Sequence, residues 1–223
     1  MKLKKIIRRK GFTLVELLVV IAIIASLAAL SSPVIIRALK KGYMNTASHN
    51  ARQVHGMLTE FSEEFYAYPN DVTAGADADL KEFTGDHSND YLGQILAGGF
   101  VDTEENFFAR DGSSSGVTKE ADNRFNTKEE TLATGECGLA YVKGLSSSSK
   151  STLPVLMAPM DSKTTFNESA YGNNAVAVRV DGSAQTYRLS KKRQAKLADG
   201  NTLFQSGEDT MWGDIEPEVL LAK

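Results

Sequence analysis

The sequence predicts an α+β chain in which a long N-terminal helix, membrane-spanning over its first half, packs on a small antiparallel β-sheet. Three observations carry that expectation. Residues 17–36 contain no charged side chain. An apolar stripe then continues at Met44, Ala47, Ala51, Val54, Leu58, Phe61 and Phe65, with spacings that alternate three and four. Finally, Ala175–Val180 and Ala184–Leu189 flank Asp181-Gly182-Ser183, a strand-turn-strand pattern with glycine where a positive φ is wanted. A helix with one apolar face followed by hairpins is the pattern of a helix buried against a sheet.

The N-terminus sets the order of the segments. Lys2, Lys4, Lys5, Arg8, Arg9 and Lys10 make residues 1–11 a leader with six cations and no acid. Positive-inside bias keeps such a leader cytoplasmic and sends the rest of the chain outward. A secretory signal places its small-residue cleavage site after the apolar run, whereas here the switch from charged to apolar falls at Gly11-Phe12, ahead of it. About twenty uncharged residues at ~1.5 Å rise span the roughly 30 Å of a bilayer core. The run is therefore an anchor. The expected segments are a cytoplasmic leader at 1–11, a spine helix at 12–66 of which 12–36 cross the membrane, and an extracytoplasmic head at 67–223. Extended from Phe12 to Tyr66, the spine would measure about 80 Å, far beyond an ordinary globular helix. Pro33 removes one backbone donor and is expected to kink it, and Gly42 is a second soft point.

Glu16 stands at the edge of the membrane run, where an ionised carboxylate is costly and needs a partner or a task. Thr13 and Glu16 have the T-x-x-E spacing of a capping box, and an acid suits the first turn of a helix. Capping alone leaves the basic leader and its terminal glycine unexplained. Lys10-Gly11-Phe12-Thr13-Leu14-Val15-Glu16-Leu17 resembles the class III signal of type IV pilins and type II secretion pseudopilins. The resemblance implies cleavage between Gly11 and Phe12 by a prepilin peptidase, N-methylation of Phe12, an assembly role for Glu16, and a helix-kinking role for Pro33. It also implies, as partners, the prepilin peptidase/N-methyltransferase, other copies of the chain and other pilins or pseudopilins, and an inner-membrane assembly platform. The physical logic agrees. Cleavage exposes an α-amino cation beside the membrane, and a neighbouring subunit's Glu16 can neutralise it. Such a head-to-tail contact is heterologous and propagates into an open fibre.

In the second half of the spine, Asn45, Asn50, Arg52, Gln53 and Glu60 are expected off the apolar stripe. A parallel coiled coil is the rival reading of the stripe, but the small Ala47 and Ala51 suit close packing on a sheet. Tyr68-Pro69-Asn70-Asp71 ends the helix. Asn89–Leu96 followed by Gly98-Gly99 predicts a short helix with a glycine stop, and Phe100-Val101 a return to the core. Residues 102–136, polar and broken by Ser113-Ser114-Ser115-Gly116, read as surface loop. Gly138–Val142 and Val155–Ala158 read as strands, and Ser190 as the cap of a short basic helix through Leu197 that ends near Gly200. The tail from Asn201 carries no clear signal.

Composition narrows the partners. Removing the six-cation leader takes the formal charge from −3 to −9, so the remainder is acidic. Phosphate binding needs clustered cations, and the one basic cluster, Lys191-Lys192-Arg193 with Lys196, reads as a solvated helix face, so no nucleic acid is expected. Cys137 is the single cysteine, which rules out an internal disulfide of the kind many pilins use to close a C-terminal loop. No cofactor is expected. Calcium, which the pseudopilin resemblance brings in, has candidate oxygens at Asp86, Asn89 and Asp90, or at Asp209 and Asp214, but neither set matches a full calcium loop. Catalysis finds little support: His49 and His55 are six apart on a helix and so on different faces, only His87 lies in the head, and G-x-S-x-G, H-E-x-x-H and P-loop motifs are absent. The expected protein is a non-enzymatic subunit of a type II secretion pseudopilus or a type IV pilus-like filament. A membrane-anchored extracytoplasmic binding module or hydrolase with a pilin-like leader is the alternative.

Overall fold

The computed structural model describes residues 12–110, 119 and 121–223. The chain divides into two compact units, one up to Leu39 and one from Lys40 onward. Helix α1 (Leu14–Phe65) contributes to both and stays helical through Pro33. In the first unit every apolar side chain from Phe12 to Leu39 is open to the surroundings; even Val20, the most covered large one, is 46% exposed. Nothing in that unit packs against them, which is what a helix turned toward lipid or toward other chains shows.

In the second unit α1 buries the predicted stripe. Ala47, Ala51, Val54, Leu58 and Phe61 are all buried, with Met44 and Phe65 half-covered at its ends. Asn50 corrects the expected division of faces, because it too is buried. Its amide donates to the carbonyls of Phe108, at 2.9 Å, and Glu105, at 3.4 Å. A polar side chain is tolerated on the apolar face because it meets backbone acceptors that have no ladder of their own. The helix ends where Tyr66 turns to φ +59.

A second, unforeseen helix follows at once. Asn70 caps α2 (Asp71–Ala76) by accepting from the backbone of Val72 and Thr73, and Thr73 returns a bond to the Asn70 backbone. Helix α3 (Ser88–Ala97) matches the expected one, with Gly98 at its end and Gly99 at φ +72. Gln94 of α3 is fully buried but satisfied: its oxygen accepts from Thr73 Oγ1 at 2.7 Å and its nitrogen donates to the Phe83 carbonyl at 2.8 Å.

The sheet is antiparallel throughout, in the order β4-β3-β2-β1-β5. Its strands are β1 (Ala140–Lys143), β2 (Pro154–Ala158), β3 (Asn174–Arg179), β4 (Ala184–Arg188) and β5 (Glu218–Leu220). β2 is buried along its whole length, so the middle of the sheet is covered on both faces. The β3–β4 turn forms as expected, with Gly182 at φ +77 and Arg179 and Ser183 bonded across it at 3.0 Å. His55 of α1 bonds the Val180 carbonyl at 2.9 Å, tying the helix to this hairpin. The helix-on-sheet architecture is thus the pilin-like α+β one.

Two further expectations give way. Residues 190–197 form a turn rather than a basic helix: Arg193 N donates back to Ser190 O, Arg193 sits at φ +59, and Leu189 bridges Ala195. The backbone pairs across the turn because Leu189 and Ala195 are both drawn into the core. The stretch 102–136 is not merely surface. Glu104, Phe107, Ala109, Leu132 and Glu136 are all buried, and Glu105–Phe107 is a 3₁₀ turn. Ser113 to Gly116 lie outside the described residues. The tail, unread from sequence, supplies β5, which pairs Val219 with Val142 and Leu220 with Tyr141.

Candidate functional site

The start of α1 is built around one carboxylate. Glu16 Oε2 accepts from the Thr13 backbone at 2.8 Å and from Thr13 Oγ1 at 2.7 Å, while Glu16 N donates to Thr13 Oγ1 at 3.2 Å. The capping box therefore forms. It fixes Glu16 at the helix start, beside Phe12, whose side chain is 84% exposed. Both hydrogen bonds fall on one carboxylate oxygen, so the other can take a further donor. Gly11 and the leader lie outside the described residues. Pro33 sits inside α1 with exposed neighbours Ser32 and Val34. The helix they share is long and apolar enough to cross a membrane.

Of the residues singled out for calcium, Asn89 and Asp90 have other partners. Asn89 is buried, its Oδ1 accepting from Lys223 N at 2.8 Å and its nitrogen donating to the Leu132 carbonyl at 2.5 Å. Asp90 accepts from His87 N at 3.0 Å, capping α3, and lies 3.6 Å from Lys128. Asp86 is exposed; Asp209 and Asp214 lie on the turns of the tail, also exposed. The carboxylates that do converge among the described residues are Glu104, Asp122 and Glu136, with oxygens within 4.8 Å of one another.

Sequence reasoning missed this group. Glu104 accepts from Leu132 N at 2.8 Å and Asn123 N at 2.9 Å, and Glu136 accepts from Ala133 N at 2.7 Å. Burial raises the Glu104 pKa above its ordinary value, helped by the charge of Glu136 and opposed by the backbone donors. The available signal was weak: Glu104 is one of three acids, with Asp102 and Glu105, between Phe100-Val101 and Phe107-Phe108. Lys143 was missed as well: its ammonium meets Glu218 at 2.7 Å and Asp71 at 3.0 Å. Burial works against that charge, but the bonds to Glu218, Asp71 and Tyr91 outweigh it and raise the pKa. Cys137 is a buried free thiol whose pKa burial pushes up to about 11, which makes it an inert packing residue. The three histidines occupy separate settings: His49 exposed, His55 on the Val180 carbonyl, and His87 at the start of α3.

Residues 7–32 match the family described as the prokaryotic N-terminal methylation motif, which is the class III signal of type IV pilins and pseudopilins. No curated protein and no solved structure matches the chain. The motif marks a pilin- or pseudopilin-type precursor, the kind that prepilin peptidase processes and that assembles with other pilin subunits. Together with the apolar helix it points to single-pass anchoring in the inner membrane, and the matched family is a structural one.

Proposed function

We propose that the chain is a non-enzymatic subunit of a type II secretion pseudopilus or a type IV pilus-like filament, cut between Gly11 and Phe12 and methylated on Phe12. Its head, residues 67–223, lies outside the cytoplasm, and an inner-membrane platform assembles it with copies of itself and other pilins or pseudopilins. The observation that carries this reading is the motif at 7–32 standing directly on a helix whose apolar side chains are all unpacked up to Leu39. A lone anchor needs only a lipid-facing helix. It does not need an acid held by Thr13 with one oxygen to spare, whereas a neighbouring chain's α-amino group is a donor of the right charge for that oxygen. Pro33 is the point at which such a helix bends to fit the fibre.

Mass spectrometry of the native protein is expected to find N-methyl-Phe12 at the N-terminus. A mature chain starting beyond Ser31, as ordinary signal peptidase leaves, sinks the filament reading. Glu16→Ala is expected to leave processing and membrane insertion intact while depleting sheared fibres. Normal fibre yield from that variant means that Glu16 serves only the helix cap.

A further inference from the structure

From Lys40 onward, three large apolar side chains stay exposed among the described residues: Tyr66 at 87%, Val72 at 80% and Ile215 at 61%. The segments that carry them reach one place. Tyr68, two residues after Tyr66, donates its backbone N–H to the Leu145 carbonyl at 3.2 Å. Asp71, next to Val72, holds Lys143 at 3.0 Å. Ile215 lines, with Lys143, Leu145, Leu153, Trp212 and Pro217, a cavity of about 410 Å³. Exposed apolar side chains gathered about such a cavity mark an interaction site.

Its rim is acidic. Asp71 and Glu218 share Lys143, while the exposed Asp214 and Glu216 have no ion pair among the described residues. Lys150 is the other cation there, donating to the Met211 carbonyl at 3.1 Å. Four acids thus face two lysines, and a partner should bring apolar side chains flanked by unpaired cations. Among the described residues one segment does so. In α1, Ile36 and Leu39, 50% and 51% exposed, lie three apart beside Arg37, Lys40 and Lys41, none of which has an ion pair among the described residues. The other basic cluster among the described residues, Lys191-Lys192, has no apolar side chain to offer, since Leu189 beside it is buried. Two patches facing each other would set acid against acid, and an anionic lipid surface would be repelled.

We propose that the patch around Ile215 docks a second copy of this chain, which lays the Ile36–Lys41 turn of its α1 into it. The proposal rests on the reading of the chain as a filament subunit. The contact is heterologous, so each copy offers both halves and the pairing repeats along a fibre. Ile36 and Leu39 meet Ile215, Val72 and the cavity, and Arg37, Lys40 and Lys41 meet Asp214, Glu216 and the surplus charge beside Lys143.

The test uses full-length chains in membranes. Leu39→Cys and Ile215→Cys are expressed together on differently tagged copies, with the buried Cys137 left in place, and mildly oxidised. A mixed disulfide is expected from the pair, with neither variant dimerising alone. Adding Lys41→Glu to the Leu39→Cys copy is expected to reduce the mixed species severalfold, and Glu216→Lys on the other copy to restore it. Absence of the mixed disulfide with both variants in the membrane overturns the proposal, as does self-dimerisation of Ile215→Cys or a charge exchange that restores nothing. Chains that begin with N-methyl-Phe12 and form fibres but give no mixed disulfide overturn the docking site alone. An unprocessed N-terminus with no fibres overturns the filament reading instead.

Discussion

Glu104 shows what a single residue can organise in a segment without regular structure. Its two oxygens take the N–H groups of Leu132 and Asn123, and Asn123 returns a bond to Glu104 N at 2.8 Å. The folded state holds the Glu104 proton more tightly than the unfolded chain does, because burial raises the pKa above 4.5. Stability contributed here is therefore present below 4.5 and falls as pH rises from there through the raised value. Asp71 acts in the opposite sense: the bonds from Tyr91 and Lys143 lower its pKa below 3.8, so its contribution is present above that and lost in stronger acid. Melting curves across pH 4.5 and upward are expected to show the Glu104 decline, and Glu104→Gln to flatten it. Gly138 is a second decisive residue. A Cβ there would stand 1.8 Å from the Ala109 carbonyl oxygen, which is backbone and cannot swing aside. Gly138→Ala is expected to cost about 1–3 kcal/mol or more, read from denaturant midpoints.

At the scale of elements, α1 is the part the sequence made most legible. A stripe with strict three-four spacing leaves little choice about which face is buried, and Ala47 through Phe61 fill it as expected. Leu58→Ala is expected to destabilise the head by roughly 2–5 kcal/mol, measured by urea unfolding, because Leu58 is wholly buried in the shared core. The hairpin was equally legible, since Asp181-Gly182 fixes its turn. Asn50 was not, because its burial depends on the carbonyls of Glu105 and Phe108, more than fifty residues away. The same holds for the tail. Glu218–Leu220 is too short and mixed to signal a strand, and it becomes one only because β1 leaves an edge open to it. Residues 190–197 misled for the converse reason: local polarity suits a helix, and the burial of Leu189 and Ala195 overrides it. At the N-terminal site, the T-x-x-E spacing made the Thr13–Glu16 box legible in full, whereas the buried acids of 104–136 looked like any solvated loop.

For the whole molecule, the division at Lys40 makes a specific expectation. A fragment starting near Gly42 keeps Ala47 to Phe61 in the core and discards the unpacked apolar helix, so it is expected to be soluble and monomeric by light scattering. The Ile36–Lys41 turn goes with the discarded part, leaving the patch around Ile215 without its complement. A fragment that dimerises, and that Leu58→Ala converts to a folded monomer, would show the stripe to be a coiled-coil seam rather than a core face.

The buried carboxylates have one more consequence. With one cysteine in the chain, buried and unpaired, no sulfur bond fastens the long connection from α3 to β1. Glu104, Glu136 and the backbone donors they gather fasten it instead. A clasp of that kind needs no oxidase to close and no isomerase to correct, and reductants cannot open it. That clasp holds whatever the redox state of its surroundings, while its tightness answers to the local acidity.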